Sequence, residues 1–128
     1  MARLIYKELS YQLMGILFEI HNKLGGIFEE KYYQRAVEKR LKDLGIKYSK
    51  ELKADLFFDD DKIGKYFLDF LIEDRVILEL KTVPRLLPIH YRQVRSYLKT
   101  KNLKLGLLVN LRGAKVQYKR ILNGNAAE

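Results

Sequence analysis

The centre of the sequence reads YFLDFLIEDRVILELK, residues 66–81. Two apolar runs flank a polar triplet at 73–75, a pattern that predicts two antiparallel strands joined by a tight turn. Strands this apolar are typical of the middle of a sheet that is covered on both faces. Three charged residues interrupt them: Asp69, Glu79 and Lys81. Because burying a charge is unfavourable, these residues indicate a functional site within the predicted core.

The predicted turn fixes which residues of the hairpin face each other. A three-residue turn centred on Asp74 places Asp69 directly across from Glu79, and the alternation of side chains puts both on the same face as Lys81. Two opposed carboxylates repel each other, and a divalent cation would relieve this repulsion. Mg²⁺ and Mn²⁺ are the candidates, because they prefer oxygen ligands. Lys81 would then hold the attacking water or stabilise charge on a phosphate that is being transferred.

Two other interpretations of the hairpin stay open from the sequence. In the first, Lys81 bridges Asp69 and Glu79 as an internal ion network. In the second, a two-residue turn shifts the register of the strands, which separates the two carboxylates and leaves Asp69 facing away without a partner. The metal site is favoured over both, because charged groups in a core strand mark a site more often than they add stability.

Helices and strands can be placed on both sides of the hairpin. Apolar residues at helical spacing predict two helices before it, and the second has Tyr33 and Leu44 on its inward side. With a strand before the hairpin, and a helix and two strands after it, the order is α-α-β-β-β-α-β-β. This predicts a single α/β domain over residues 1–122, with a central mixed β-sheet flanked by helices, and a flexible tail over 123–128. The predicted helices cover residues 9–24, 27–44 and 89–100, and the predicted strands cover 52–58, 63–72, 76–83, 105–111 and 116–122.

The charge of the sequence is unevenly distributed. The 25 Lys and Arg residues outnumber the 16 Asp and Glu residues, for a formal net charge of +9. Residues 1–79 hold 14 bases and 15 acids, whereas residues 80–128 hold 11 bases and one acid, Glu128. This asymmetry indicates a polyanionic partner, with nucleic acid favoured and an anionic membrane surface second. A merely solubilising surface is the alternative.

Composition excludes several classes of protein. The sequence has no cysteine, which excludes disulfide scaffolds, thiolate metal sites and cysteine nucleophiles. No apolar run is long enough to cross a membrane, and the N-terminus lacks the apolar segment and the cleavage site of a signal peptide. We therefore expect a cytoplasmic protein with no membrane partner.

The hairpin and its flanks resemble a known group of nucleases. Asp69, followed after nine residues by Glu-Leu-Lys at 79–81, matches the metal-site pattern of the PD-(D/E)XK nuclease superfamily. The ordered motifs resemble its small stand-alone GxxExxY family from about residue 9 to residue 121. They are HNKLG at 21–25, YFLDFLIE at 66–73, VILELK at 76–81, QxxxYL at 93–98 and LKLGLLVN at 103–110. The resemblance implies a restriction-endonuclease-like core and a nuclease that hydrolyses phosphodiester bonds in nucleic acid with Mg²⁺ or Mn²⁺.

The resemblance also implies roles for individual residues. Asp69 and Glu79 would bind the metal, and Lys81 would position or activate water. On the next helix, Gln93 would orient the lysine or a phosphate, and Tyr97 would line the site one helical turn later. The auxiliary candidates are His21, Tyr33 and Tyr97. The alternatives are a structural hydrogen bond for His21 and a place in the core for Tyr97.

The second helix offers two candidates for a further carboxylate at the site. The literal string GxxExxY spans residues 26–32 and selects Glu29, whereas an alignment without a gap selects Glu30 and Tyr33 and puts Ile27 where the family has glycine. The second register is favoured, because a slip of one residue would rotate the whole helix by about 100°. Glu30 would then assist in binding the metal. The alternative for Glu30 is an exposed carboxylate favoured by the helix dipole.

Basic residues after the hairpin form the predicted substrate surface. They would contact phosphates without reading the base sequence, and DNA is favoured over RNA. These residues are Arg92, Arg95, Lys99, Lys101 and Lys115. The alternative function is a nuclease-fold protein that binds nucleic acid or a partner protein without cutting. A homodimer that presents two sites across a duplex is a further expectation.

Overall fold

The structure is a computed structural model that describes residues 6–124. Within this range, helices and strands follow each other in the predicted order. The helices are α1 (Lys7–Leu24), α2 (Glu30–Asp43) and α3 (Pro88–Lys101), and the strands are β1 (Tyr48–Phe58), β2 (Asp61–Ile72), β3 (Val76–Lys81), β4 (Leu105–Asn110) and β5 (Gln117–Leu122). The predicted order α-α-β-β-β-α-β-β is therefore confirmed.

The strands form one mixed sheet in the order β1-β2-β3-β4-β5. β3 and β4 run parallel, with α3 between them in the chain, and the other neighbouring strands are antiparallel. On one face, α1 and α2 pack with residues such as Leu78 and Leu107. On the other face, α3 packs with residues such as Ile77 and Leu108. The central strands are thus covered on both sides, which confirms the predicted α/β architecture.

The hairpin of β2 and β3 has the predicted register. Phe70 pairs with Leu78, so the turn between the strands has the three residues 73–75. The first two turn residues have left-handed φ angles of 53° and 55°, a conformation that lets so short a turn reverse the chain. The alternative two-residue turn is therefore wrong. The ladder of backbone pairs ends at this pair, directly beside Asp69 and Glu79.

α2 begins later than predicted. It starts at Glu30 rather than at Ile27, whose side chain is 87% exposed. The connection before the helix is held by Tyr33, whose buried hydroxyl donates to the Gly25 carbonyl (2.5 Å) and accepts from the Phe28 N–H (3.3 Å). These two hydrogen bonds hold the connection in a non-helical path, so α2 cannot extend further towards α1.

Two predictions at the ends of elements are also corrected. Leu44, predicted to face inward, follows the last residue of α2 and is 51% exposed, because the helix has ended before it. Asn123, predicted to begin the flexible tail, is buried, and its Nδ2 donates to the carbonyls of Leu98 (3.3 Å) and Leu103 (3.1 Å). Residues 125–128 of the predicted tail lie outside the described residues. The described chain is therefore anchored one residue past β5.

β1 and β2 extend beyond the rest of the sheet. They have 11 and 12 residues, against six in β3, so their ends near the shared turn lack a third strand to pair with. Leu56 and Phe58, which belong to the predicted alternation of β1, are 48% and 67% exposed for this reason. The long hairpin leaves the core only beyond Leu68 and Ala54, which are still buried.

Candidate active site

Beside the two carboxylates of the hairpin, side chains replace the backbone ladder between β2 and β3. The Asp69 N–H donates to Glu79 Oε1 (2.8 Å), and the Leu80 N–H donates to Asp69 Oδ2 (2.7 Å). Each carboxylate thus accepts a hydrogen bond from the backbone of the opposite strand. The hairpin brings Asp69 and Glu79 together, as its register predicts, and we refer to these two residues as the carboxylate pair.

Burial raises the pKa of both members of the carboxylate pair. Glu79 is 3% exposed, and burial, followed by the negative charge of Asp69, raises its pKa to about 8. Burial is also the main cause that raises the pKa of the partly buried Asp69, against the hydrogen bond from Leu80. Near neutral pH the pair therefore holds a proton. A cation bound in its place would let both groups ionise.

Lys81 places a positive charge next to the pair. Its Nζ lies 3.4 Å from Glu79 Oε2. The charge of Lys81 lowers the pKa of Glu79, but this effect ranks behind burial and the charge of Asp69. Among residues 6–124, the salt bridges of Lys81 do not include Asp69, so the lysine does not bridge both carboxylates. One ammonium group alone therefore does not keep the pair fully ionised.

Glu30 and Gln34 bring α2 to the pair. Gln34 Nε2 donates to Asp69 Oδ1 (2.7 Å) and to Glu30 Oε2 (3.1 Å). Glu30 is partly buried, and its pKa is raised first by burial and then by the charge of Asp69. Glu29 is exposed instead and pairs with Lys31 at 3.6 Å. Of the two carboxylates open from the sequence, Glu30 is thus the one that lies beside the pair.

Gln34 is a residue of the site that the sequence analysis missed. It follows Glu30 by four residues, so the two side chains share one stripe of α2. This spacing was the available signal. It does not reveal the contact with Asp69, because no pattern in the sequence gives the distance between α2 and β2.

α3 lies near Lys81, and the structure shows no polar contact from it to the carboxylate pair within the described range. The side chain of Gln93 is partly buried and makes no hydrogen bond to the carboxylate pair. The backbone carbonyl of Gln93 accepts a hydrogen bond from the Tyr66 hydroxyl at 3.4 Å. Tyr97 is buried in the core between α3 and the sheet. The pKa of His90, on α3, is lowered first by burial and then by the positive charge of Lys81.

The auxiliary candidates His21 and Tyr33 make structural hydrogen bonds. His21 Nε2 donates to the Gly113 carbonyl (2.9 Å), which ties α1 to the loop between β4 and β5. Gly26 packs against the same loop so closely that a Cβ atom on it would overlap the Gly113 backbone. Tyr33 holds the α1–α2 connection. In the part of the chain that the structure describes, neither side chain makes a polar contact with the carboxylate pair.

The predicted phosphate-binding residues lie on α3 and on the loop before β5. They are Arg92, Arg95, Lys99, Lys101 and Lys115. All five are exposed, and none forms a salt bridge with another described residue. The Nζ of Lys101 lies 6.0 Å from the centre of the Tyr97 ring. Their charges are therefore available to a polyanion.

A cleft of about 250 Å³ opens onto Asp69 between α2 and the β1–β2 hairpin. Its lining residues are Lys31, Gln34, Arg35, Glu38, Lys50, Glu51, Asp69 and Phe70. The lining is mostly polar and contains charges of both signs. Through this cleft a ligand in solution can approach Asp69 from the side of α2.

The chemistry of the side chains fits a divalent cation that prefers oxygen. Asp69, Glu79 and Glu30 offer carboxylate oxygens, and burial, which is the main cause of their raised pKa values, disfavours their ionisation in the absence of a nearby cation. Among residues 6–124, however, no three His, Asp or Glu side chains are close enough together to hold an ion as they stand. Mg²⁺ or Mn²⁺ would therefore have one or two carboxylate ligands here, with water and phosphate oxygens as the others.

Solved structures and a family model match this chain. The crystal structure of SSO0001 has a similar fold, with a TM-score of 0.55 and 19% sequence identity over 92% of this chain and 57% of that one. No curated protein matches the sequence. A family model described as the PD-(D/E)XK nuclease superfamily matches residues 7–121, a range that includes the carboxylate pair, Lys81 and Glu30. Because this match spans most of the sequence, the chain belongs to the PD-(D/E)XK nuclease superfamily.

Proposed function

We propose that this protein is a divalent-metal-dependent nuclease that hydrolyses phosphodiester bonds in nucleic acid, with DNA favoured over RNA. The observation that carries the proposal is the carboxylate pair, Asp69 and Glu79, held across the hairpin with Lys81 beside it. Membership in a nuclease superfamily supports the same reaction class. Within the superfamily, the GxxExxY motifs of the sequence favour the small stand-alone family of that name.

Asp69 and Glu79 would hold Mg²⁺ or Mn²⁺, and Glu30 would assist from α2. When bound, such a cation polarises a phosphate oxygen and lowers the pKa of a water molecule. Loss of the proton of the pair would leave two charged ligands in place of one. Gln34 would orient Glu30 and Asp69 relative to each other, because its amide donates to both.

Lys81 would position the attacking water or stabilise the negative charge that develops on the phosphate. An ammonium group has three N–H donors, so the contact with Glu79 leaves others for water or substrate. The side chain of Lys81 is 20% exposed, and partial removal from water strengthens its attraction for an anion. Gln93 would orient Lys81 or a phosphate, since its side-chain amide is free of hydrogen bonds to the described residues.

The exposed basic residues of α3 and Lys115 would bind the phosphates of the substrate. Contacts of this kind carry no information about base sequence, so we expect binding that weakens steeply with salt and shows little sequence preference. No helix among the described residues is long and apolar enough to cross a membrane. A cytoplasmic location and a homodimer with two sites across a duplex stay predictions from the sequence.

The second candidate function is a nuclease-fold protein that binds nucleic acid or a partner protein without cutting. The observation that favours it is the reciprocal hydrogen bonding of the carboxylate pair. Each carboxylate already has a backbone donor, so the pair is satisfied without a cation. Both candidates share the basic surface and differ in whether the pair ever binds a metal.

Cleavage assays separate the two candidates. The protein is incubated with single-stranded and duplex DNA and RNA, with Mn²⁺ or with EDTA, beside Lys81→Ala and the control Lys42→Ala. Both variants lose one positive charge, but Lys42 is an exposed residue near the end of α2. We expect cleavage that requires Mn²⁺, is lost in Lys81→Ala and is retained in Lys42→Ala. Equal cleavage by the protein and Lys81→Ala would mean contamination and would remove the support for a nuclease.

A further inference from the structure

Apolar and aromatic side chains are exposed at the connection between α1 and α2 and on the first turn of α2. Ile27 is 87% exposed, and Phe28 and Tyr32 are each 43% exposed. The two rings meet edge to face with their centres 6.3 Å apart, and with Leu24 they line a shallow cavity of about 280 Å³. We refer to Phe28 and Tyr32 as the aromatic platform. Clustered exposed rings of this kind are typical of binding surfaces.

Two cations flank the ring of Tyr32. The Nζ of Lys31 lies 5.2 Å from the ring centre, and the guanidinium carbon of Arg35 lies 5.5 Å from it. Arg35 forms no salt bridge among residues 6–124. The pair of Lys31 with Glu29 is exposed and therefore weak, because solvent screens it. Exposed rings beside positive charges are the combination that holds single strands, since a base stacks on the ring while the cation contacts a phosphate.

The aromatic platform is continuous with the cleft at the candidate active site. Lys31 and Arg35, which flank Tyr32, also line the cleft that opens onto Asp69. A strand held by the platform would thus be held at the entrance of that cleft. In an intact duplex both faces of each base are covered by its neighbours, so an exposed ring can stack only on an unpaired or terminal base.

We propose that the aromatic platform binds an unpaired base of a single-stranded nucleic acid, and that Arg35 and Lys31 contact the phosphate that leads into the cleft. This inference rests on the proposed function, to which it adds the form of the substrate. That form is a single strand, or a single-stranded end or flap, rather than continuous duplex. The basic residues of α3 lie on a different element and would bind either form through charge alone.

The first test uses fluorescence quenching by a stacked base. The sequence contains no tryptophan, so Tyr32→Trp introduces a single reporter at the platform. The matched control is Tyr11→Trp, the same substitution at a residue of α1 that is 83% exposed. Oligothymidine, oligouridine and a closed circular duplex without ends are added at equal phosphate concentration in EDTA. The arms with oligothymidine and oligouridine separate DNA from RNA.

We expect either single strand to quench Tyr32→Trp, with little effect from the closed duplex and little change in Tyr11→Trp. No quenching of Tyr32→Trp by either single strand would overturn the proposal. Equal quenching by the closed duplex, or equal quenching in Tyr11→Trp, would also overturn it, because either result means contact without selective stacking at the platform.

The second test measures affinity by anisotropy, also in EDTA. Removing one stacked ring weakens binding by about 5- to 150-fold, so Tyr32→Ala should lose affinity for the single strand by this factor. Its affinity for the closed duplex should stay within about twofold of that of the unmodified protein. Tyr32→Phe should retain the affinity, and Arg92→Ala on α3 should weaken both forms alike. A parallel loss for both forms in Tyr32→Ala, or no loss, would contradict the proposal. Because both tests omit metal, they give their result whether or not the protein cuts.

Discussion

Replacing Glu79 with glutamine should increasingly stabilise the metal-free protein as the pH rises from about 4.5 to about 8. The folded protein keeps the proton of Glu79 up to about pH 8, whereas the unfolded chain releases it near pH 4.5. Between these values the unfolded chain binds fewer protons, so the free energy of unfolding falls as the pH rises. Each pH unit is worth about 1.4 kcal/mol, which gives about 5 kcal/mol over the whole window. Glutamine keeps the shape of the side chain but cannot ionise, so it removes this loss.

The assay is urea unfolding in EDTA at pH 5, 7 and 9. From pH 5 to pH 9, the free energy of unfolding of the unmodified protein should fall by several kcal/mol relative to that of Glu79→Gln. The upper limit of this difference is about 5 kcal/mol, because the pKa of Glu79 in the folded protein is about 8. Near pH 5 the two should differ little, because the amide oxygen can still accept from the Asp69 N–H. Glu51→Gln, which changes an exposed carboxylate, should follow the unmodified protein. Parallel pH profiles for the protein and Glu79→Gln would refute the argument that burial keeps Glu79 protonated.

Three further outcomes are expected. Mn²⁺ should raise the midpoint of thermal unfolding more at pH 8 than at pH 6, because the cation competes with the proton of the carboxylate pair; equal shifts would contradict this competition. Gln34→Leu removes the amide shared by two carboxylates and should weaken Mn²⁺ binding about 10-fold in calorimetry, whereas the exposed Gln12→Leu should leave it unchanged. Gly26→Ala should lower the free energy of unfolding by about 2 kcal/mol or more, since its Cβ would overlap Gly113, while Gly124→Ala, which has open space, should not.

The β2–β3 hairpin could be predicted because its determinants are local. A polar triplet between two apolar runs determines the position and length of the turn. The turn in turn sets the register of the strands, in which Phe70 pairs with Leu78. Once the register is known, alternation brings Asp69 and Glu79 to the same place. The order of helices and strands follows from the same kind of evidence, because each element has its own periodicity.

The details that were missed depend on contacts between distant parts of the chain. Gln34 touches Asp69 only because α2 packs over β2 at a distance that no local pattern contains. The start of α2 was placed too early because the hydrogen bond from Tyr33 to Gly25 shapes the connection. Asn123 follows the last strand, so the sequence alone assigns it to the tail. The hydrogen bonds that anchor it reach back to the end of α3, and no local pattern reveals them.

The linear order of the sheet leaves β1 and β5 as its two edges. An unpaired edge is a template on which a second chain can add a strand, which is one route to aggregation. Here Lys50 and Lys53 are exposed on β1, and Lys119 is exposed on β5. Charged lysines on both edges disfavour strand addition between copies. The edges of the sheet are therefore a disfavoured contact for a homodimer of this chain.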